Sequence, residues 1–267
     1  MTVIFKAKTT EAHRIKVLTE LLYTNIKTGC FIIDEHSISL KMMDSQRRIL
    51  INLSLEAENF VIYKFNSNKL YIGLNLTHLH RMLRTIKKKD VLEFIIDNEN
   101  INELTIKIYP KDNNRVVTSG INIQTIQNLD IDLPELNGRK FLIPSTEVQK
   151  MLKDFGNLSN VITISATQSL ILFKTNAGGV LKRCVEFGNK DDDIYQNIQE
   201  YSQEFNTDQL YRISKIAGLS SNIQIQLGKP IKFSSNIGTL GKISIFIKSK
   251  EEIEAEKYLN EIQEYEE

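Results

Sequence analysis

The sequence carries the same basic segment twice, about half a chain apart. Residues 79–84, Leu-His-Arg-Met-Leu-Arg, recur at 210–215 as Leu-Tyr-Arg-Ile-Ser-Lys, 131 residues later in a chain of 267. A weaker echo has a similar offset, because Phe5 followed by Thr10 and Glu11 recurs 136 residues later as Phe141 followed by Thr146 and Glu147. A chain that contains two copies of one unit folds each copy in a similar way. The repeat therefore predicts two topologically similar domains of about 130 residues.

Charge is segregated along the chain although its total is nearly balanced. The formal net charge is +1, yet residues 81–89 hold five cations and no acid, while residues 251–267 hold eight acids and one lysine. Binding to a polyanion would therefore depend on local basic surfaces rather than on the overall charge. The 41% of hydrophobic and 25% of charged residues are typical of a soluble protein, and no apolar run is long enough to span a membrane.

Cysteine usage and the first residues predict an intracellular protein. Cys30 and Cys184 are the only cysteines and form no zinc-binding spacing, so structural disulfides are not expected. Residues 1–6 contain no basic leader with an apolar core, so export is not expected either.

Hydrophobic periodicity predicts an α+β chain in which each half has two helices and several short antiparallel strands. The predicted helices cover 11–24, 75 or 77 to about 86, 145–155 and 208–219. Residues 124–139 contain Pro134 and Gly138 and lack clean periodicity, which indicates a connecting loop, although Ile126, Leu129, Ile131 and Leu133 make it too apolar for a free tether. The predicted division is a domain over 1–123, the loop over 124–139, a second domain over 140–249 and a mobile, helix-prone acidic tail over 250–267.

The common signatures of catalysis are missing from the sequence. There is no GxxxxGK[ST], HExxH, GxSxG or GxGxxG segment, and no spacing of acids that argues for acid–base catalysis. His78 and His80 are two positions apart on a predicted helix, which turns them to different faces and disfavours a metal pair. Cys184 follows Lys182 and Arg183 and is either a thiol with a lowered pKa or a packed strand residue. The sequence thus predicts a protein that is not an enzyme and that has no metal and no cofactor.

Cations recur on the predicted helices. Arg81, Arg84 and, if the helix extends so far, Lys88 follow the spacing i, i+3, i+7 along one helix face. Amphipathic helices often place lysine outward without a binding role. Four cationic helices, two in each half of the chain, nevertheless favour contact with phosphate. Few aromatic residues are interleaved, which favours contact with a nucleic-acid backbone over reading of bases. The candidate phosphate-binding residues are Arg14, Lys16, Arg81, Arg84, Lys150, Lys153, Arg212 and Lys215.

Six short segments stand in the order in which a known family has them. They are Phe5-Lys-Ala-Lys, Met43-Asp-Ser, Gly73-Leu-Asn-Leu-Thr, Ile143-Pro-Ser, Leu219-Ser and Gly241-Lys-Ile-Ser-Ile-Phe-Ile. Together they resemble the proliferating cell nuclear antigen family of DNA sliding clamps from about residue 3 to residue 250. The resemblance implies a DNA-clamp fold of two equivalent domains, in which antiparallel sheets carry two helices each. It also implies a head-to-tail homotrimer with pseudo-six-fold symmetry, whose twelve helices turn the eight cations toward duplex DNA irrespective of its sequence.

The resemblance also gives the apolar loop a role. In the family the loop borders a pocket for short peptide motifs of DNA polymerase and other clients, in which an aromatic and aliphatic plug would supply most of the binding energy. The residues that the resemblance assigns to this pocket are Met43, Arg47, Arg48, Ile131, Leu133, Pro134, Pro230, Phe246 and Lys248.

Ring closure in the family pairs an edge strand of the first domain with one of the second. Here these strands would cover about 115–123 and 179–187. The interface residues that this pairing implies are Arg115, Val117, Ser119, Ile121, Gly179, Leu181, Arg183 and Val185. The sequence departs from the family at Ser119-Gly120, where the edge strand usually carries an aromatic residue.

Three functional readings remain open at this point. The first is a homotrimeric clamp in DNA replication and repair, loaded by a clamp loader, with no membrane partner. The second is a monomeric or dimeric viral-type processivity factor that binds DNA through a basic face without closing a ring. The third, a DNA-processing enzyme, has no motif in its support. A clamp is expected in the nucleus. The composition, rich in Ile, Asn and Lys, is also typical of a viral protein, which would act in the nucleus or at a cytoplasmic replication site of its host.

Overall fold

The computed structural model describes residues 3–111, 115–127, 130–188 and 201–266, and the chain divides into two compact units. The first unit is Met1–Asp132 with Gly218–Ser220 and Ser235–Ser244. The second is Leu133–Ala217 with Ser221–Ser234 and Ile245–Glu267. Helices and antiparallel strands occur in both units, which confirms the predicted α+β class.

Elements up to residue 122 follow the order strand, helix, five strands, helix and three strands. Their bounds are β1 Val3–Thr9, α1 Ala12–Asn25, β2 Thr28–Ile33, β3 Ser37–Met43, β4 Ile49–Glu56, β5 Ile62–Phe65, β6 Leu70–Asn75, α2 Leu76–Leu83, β7 Val91–Asp97, β8 Asn100–Tyr109 and β9 Val117–Asn122.

Among the described residues after 139, the elements repeat this order with one strand fewer before the second helix, and a further helix follows the last strand. Their bounds are β10 Lys140–Pro144, α3 Ser145–Gly156, β11 Val161–Ala166, β12 Leu170–Ala177, β13 Leu181–Gly188, β14 Tyr201–Asn206, α4 Thr207–Arg212, β15 Asn222–Gln226, β16 Ile231–Asn236, β17 Gly241–Ile247 and α5 Lys250–Glu266.

Strand order repeats as well, which confirms that the halves are topologically similar. The run β4-β3-β2-β6 corresponds to β13-β12-β11-β14, and the run β1-β7-β8-β9 corresponds to β10-β15-β16-β17. Strand β5 is the extra strand, and it pairs with β1. The second helix begins after Asn75 in one half and after Asn206 in the other, an offset of 131 residues that matches the sequence repeat.

The repeated leucine is a core residue in each copy. Leu79 is 5% exposed and Leu210 is 0% exposed, so each second helix buries the leucine and turns the following cations away from the core. Because burial of a leucine side chain is worth about 2 kcal/mol, this contact fixes which face each helix presents. In the segment L-x-R-x-x-[R/K] the leucine therefore anchors the helix, the first cation lies near its C-terminal end, and the last cation follows the α-helix in both copies.

Two helices are shorter than the sequence predicts. Helix α2 ends at Leu83 rather than near Ile86, and Lys88 accordingly lies outside it. Helix α4 ends at Arg212, and a 3-10 helix covers Ser214–Gly218 in place of its predicted second half. Lys215 therefore lies on a 3-10 helix.

The acidic tail forms helix α5, and its first turns are tied to the second unit. The Ser249 hydroxyl and the Glu252 carboxylate form a reciprocal capping box, with N–H to oxygen distances of 3.2 and 2.8 Å. Ion pairs join Lys229 to Glu251 at 2.9 Å and Lys250 to Glu204 at 3.3 Å. The expectation of a mobile tail is thus wrong for the beginning of this segment. None of the helices in the described ranges has the length and apolar character to cross a membrane.

A buried carboxylate links three strands of the first unit. Glu93 is 2% exposed, pairs with the Lys6 ammonium at 2.9 Å and accepts a hydrogen bond from the Tyr109 hydroxyl at 2.7 Å. Burial by itself raises the pKa of Glu93, but the hydrogen bonds from Tyr109 and Lys6 and the nearby positive charges lower it below its ordinary value overall. Burial, together with the hydrogen bond to Glu93 and the negative charge of its carboxylate, raises the pKa of Tyr109 to about 12.

We expect Glu93→Gln to lower the free energy of unfolding at neutral pH by about 2 kcal/mol, because a charged hydrogen bond is lost. Since the pKa of Glu93 is lower in the folded than in the unfolded state, its contribution is complete above about pH 4.3, the ordinary pKa of glutamate. It is lost as the pH falls through the lowered pKa. Urea denaturation across this range should therefore show a steeper acid loss for the wild type than for the variant, and parallel curves would contradict the assignment.

Candidate nucleic-acid interface

Helix α2 presents two arginines to solvent. Its buried residues are Leu76, Leu79 and Leu83, at spacing i, i+3, i+7, so Arg81 and Arg84 lie off this apolar stripe and are exposed. Neither arginine has an ion-pair partner within the described ranges. Both guanidinium groups are thus available to an external anion.

The two predicted cations of α1 are partly engaged by neighbours in their own unit. The Arg14 guanidinium donates to the carbonyl of Gly218 and lies 3.8 Å from the Glu11 carboxylate. The Lys16 ammonium donates to the carbonyl of Ile86 at 3.0 Å. These hydrogen bonds hold the side chains of Arg14 and Lys16, but a carbonyl does not neutralise a charge. Only Arg14 has an acid nearby in the described ranges, the Glu11 carboxylate at 3.8 Å.

The cations of the second unit have acids closer to them. Lys150 pairs with Glu147 at 3.1 Å within α3, and Arg212 pairs with Asp208 at 2.6 Å within α4. Lys153 is exposed and has no ion pair among the residues that the structure describes. The two halves therefore share the positions of the cations but differ in the acids that pair with them. Arg81 and Arg84 of the first unit form no ion pair in the described ranges, whereas Lys150 and Arg212 of the second unit each pair with a carboxylate.

The nine residues predicted for the client pocket are divided between the two units. Met43, Arg47, Arg48 and Ile131 belong to the first unit, and the other five belong to the second. Within the first unit, Asp44 organises the turn that carries both arginines: its carboxylate accepts the N–H groups of Arg48 and Ile49 at 2.7 and 2.9 Å. Arg47 has a left-handed φ of 55° in this turn. Sequence reasoning did not assign this role to Asp44, although an aspartate just before a turn is a typical sign of it.

The second-unit residues of this set differ in accessibility. Leu133 is 40% exposed, whereas Phe246 is 3% exposed and has the Lys232 ammonium 5.4 Å from its ring centre. Lys248 contacts the carboxylate of Glu256 in α5, and Pro230 follows a cis peptide bond. Leu133 is therefore accessible to solvent, while Phe246 is part of the core.

The connecting loop is held at both ends. The Gln124 N–H donates to the carbonyl of Gly73 at 2.8 Å, and a side chain at position 73 would meet Ile126. At the other end, the carbonyl of Leu136 accepts a hydrogen bond from the Gln226 side chain at 2.7 Å. Two of the aliphatic residues of the loop thus pack against a unit, Ile126 next to Gly73 and Leu136 next to Gly228, whereas Leu133 is exposed.

Both strands predicted for subunit contact are edge strands. β9 ends the sheet β5-β1-β7-β8-β9, and β13 ends the sheet β13-β12-β11-β14. Val117 is 38% and Leu181 is 45% exposed, while Ile121 is buried and Ser119 and Val185 are half-buried. Arg115 precedes β9, and Gly179 lies in the turn before β13 rather than in the strand. Arg183 pairs with Asp154 of α3 at 3.2 Å.

The remaining candidate chemistry of the sequence is dispersed. His78 is exposed, whereas His80 stacks on Tyr23 with ring centres 4.2 Å apart, so the two histidines do face different surroundings. Neither Cys30 nor Cys184 forms a disulfide in the part of the chain that the structure describes, and burial raises the pKa of Cys30. Cys184 is exposed, which corrects the alternative of a packed strand residue.

Family comparison matches most of the chain. Residues 4–133 match the model of the proliferating cell nuclear antigen, N-terminal domain, and residues 140–250 match that of its C-terminal domain.

Individual relatives match over nearly their full lengths at low identity. The proliferating cell nuclear antigen of Dictyostelium discoideum is 23% identical over 92% of this chain and 99% of its own length. A probable DNA polymerase sliding clamp of Paramecium bursaria Chlorella virus 1 is 20% identical over 92% and 96%, respectively. The crystal structure of the Entamoeba histolytica proliferating cellular nuclear antigen superposes with a TM-score of 0.82, at 22% identity, over 93% of this chain and all of that one.

Proposed function

The chain belongs to the proliferating cell nuclear antigen family of DNA sliding clamps, and we propose that it closes around duplex DNA as a head-to-tail homotrimer and tethers DNA polymerase and other clients. A closed ring holds DNA by topology, so weak phosphate contacts suffice and sequence-specific contacts would hinder sliding. A clamp loader would open the ring, and the protein would act at sites of DNA replication. The work of such a clamp is tethering rather than catalysis.

The observation that carries this proposal is the pair of open sheet edges. Among the residues that the structure describes, β9 and β13 each have one strand edge without a partner and an exposed aliphatic residue, Val117 on one and Leu181 on the other. An edge of this kind is a ready template for pairing with another chain. Because the two edges are different surfaces, their pairing is head-to-tail and closes a ring when the rotation allows.

Light scattering on the purified chain tests the ring. A closed trimer has three times the chain mass of 30.7 kDa. A mass of 30.7 kDa in dilute solution would instead support the processivity factor that binds DNA without encircling it. Retention on closed circular DNA, with loss from linear DNA through its ends, is a property of the ring alone.

We further propose that clients bind at the connecting loop, with Leu133 as the accessible apolar residue. Leu133→Ala is expected to weaken binding of a polymerase-derived peptide about tenfold, because roughly 1.5 kcal/mol of apolar burial is lost. Calorimetry with Leu142→Ala as control checks this, since Leu142 is 68% exposed and lies outside the predicted set. Equal affinity of the two variants would refute the pocket. Phe246→Ala is less suitable, because removing a buried phenylalanine costs about 3–5 kcal/mol of stability.

A further inference from the structure

Three consecutive lysines follow the end of α2 in an ordered turn. Helix α2 stops at Leu83, so Lys87, Lys88 and Lys89 are not arranged by helical periodicity. All three side chains are exposed. The turn runs from Arg84 to Asp90 and leads directly into β7.

The backbone of this turn is fixed from three sides. Ile86 is 2% exposed, and its N–H donates to the carbonyl of Leu83 at 3.1 Å. Asp90 is 5% exposed; its carboxylate accepts the N–H of Lys87 at 2.9 Å, and its own N–H donates back to the carbonyl of Lys87 at 3.2 Å. Lys16 of α1 donates to the carbonyl of Ile86 at 3.0 Å. The lysines therefore project from a preorganised backbone, which lowers the entropy cost of binding.

The three ammonium groups have no acid to neutralise them. Within the described part of the chain none of them forms an ion pair, and the carboxylate of Asp90 is bound to a backbone N–H instead. Adjacent like charges repel one another, so a multivalent anion stabilises such a cluster. The second unit differs, because Lys150 and Arg212 have carboxylates of their own helices at 3.1 and 2.6 Å.

The turn and α1 form one positive surface. Burial lowers the pKa of His13, and the positive charges of Lys16, Arg14 and Lys88 lower it further. A lysine of the turn thus lies close enough to α1 to act electrostatically on one of its residues.

We propose that Lys87, Lys88 and Lys89 form a phosphate-binding turn that extends the cationic surface of α1 and α2 along the backbone of duplex DNA. This proposal rests on the proposed clamp function and identifies the first unit as the part of the subunit that contacts DNA most strongly. Duplex DNA carries one negative charge per about 1.7 Å of its axis, so three neighbouring ammonium groups can each find a phosphate. Lysine suits this contact because its charge is compact and its stem is flexible.

The salt dependence of DNA binding tests the turn directly. In the variant Lys87→Gln/Lys88→Gln/Lys89→Gln, we expect the slope of log affinity against log salt to become less negative by about 2 to 3, at about 0.9 per lost phosphate contact. At 0.1 M salt this corresponds to an affinity for a linear mixed-sequence duplex that is roughly 60- to 500-fold lower. The matched Lys→Arg triple variant keeps the charge and should bind like the wild type. An unchanged slope in the Gln variant would overturn the proposal.

His13 offers a local readout that loss of folding would not imitate. Removing a nearby cation favours protonation of the imidazole, so Lys88→Gln alone should raise the pKa of His13 in the free protein, as followed by NMR. Addition of the duplex to the wild type should raise the same pKa, because phosphate neutralises the cluster. If the pKa of His13 changes neither in Lys88→Gln nor on addition of the duplex, Lys88 does not lie near His13 and DNA does not bind at the turn.

Failure of the ring and failure of the turn give different results. If the chain does not close a ring, its mass is 30.7 kDa and it is not retained on circular DNA, but the Gln variant still changes the salt slope. If only the turn is wrong, mass and retention are those of a clamp while the slope stays unchanged. If the wild type has no affinity for linear duplex DNA, the turn is refuted, whereas the ring is judged by mass and by retention on circular DNA.

Discussion

Reversing two charges on α2, as Arg81→Glu/Arg84→Glu, is expected to lower affinity for linear duplex DNA at least about 60-fold at 0.1 M salt. Each phosphate contact contributes about 0.9 to the salt slope, which is roughly eightfold in affinity at this concentration, and two contacts are lost. Repulsion between the new carboxylates and phosphate adds to this effect. Both arginines are exposed, so the substitution should leave folding intact. Fluorescence anisotropy at several salt concentrations measures both the affinity and the slope.

The matched control reverses two lysines elsewhere in the same unit. Lys64 lies on β5 and Lys69 just before β6, and both are exposed. Lys64→Glu/Lys69→Glu changes the net charge equally but does not touch α2. If both double variants lose the same affinity, net charge rather than the α2 surface governs binding, and the assignment of Arg81 and Arg84 is wrong.

Placing a lysine on either open sheet edge is expected to break the oligomer into single chains. Val117→Lys acts on β9 and Leu181→Lys acts on β13, and each would bury an unpaired charge where strands of neighbouring subunits pair, at a cost of several kcal/mol. Both sites are exposed in the isolated chain, so each variant should fold. Light scattering should give 30.7 kDa for each one.

Mixing the two variants distinguishes head-to-tail pairing from a symmetric dimer. Val117→Lys keeps an intact β13 edge, and Leu181→Lys keeps an intact β9 edge. An equimolar mixture should therefore form a species of twice the chain mass and no larger, because only one productive interface remains. Ile101→Lys serves as control, since Ile101 is 56% exposed on β8, which is paired on both sides. A trimer that survives in both edge variants would refute the interface.

Local sequence pattern predicted much of the fold because its signals were local. Helices α1 and α3 lie within one residue of their predicted bounds at each end, since helical periodicity marks them. Strand β1 was not predicted as an element, although Phe5 and Ala7 are buried in it, and β14 follows a segment without a clear pattern. The early end of α2 was not predicted, because the lysine run that follows contains no glycine or proline to stop a helix. In the structure the Asp90 carboxylate accepts the N–H of Lys87 and holds the segment as a turn.

The sequence predicted which cations and apolar residues belong to the candidate surfaces, but not which cations pair with acids or which strands are edges. Arg212 and Asp208 have a spacing that permits an ion pair on any helix, but whether the pair forms depends on side-chain conformation. In the structure the pair forms at 2.6 Å, whereas Arg81 and Arg84 form no ion pair within the described ranges. That β9 and β13 are edges depends on the order of strands distant in sequence, which periodicity does not contain. Burial of Phe246 is likewise a tertiary property, because its segment reads as a strand with either face inward.

The carboxylates beside Lys150 and Arg212 bear on how fast DNA can move past the protein. In the proposed clamp, a second-unit cation that releases a phosphate would find Glu147 or Asp208 within 3.1 or 2.6 Å, so it would exchange one anionic partner for another instead of being rehydrated. Such an exchange would lower the activation barrier for each step of the duplex. The three lysines of the turn have no such substitute partner and would hold phosphate for longer. Friction along the duplex would then arise mainly at the first unit, and the one-dimensional diffusion coefficient would respond to lysine substitutions there more than to changes at α3 or α4.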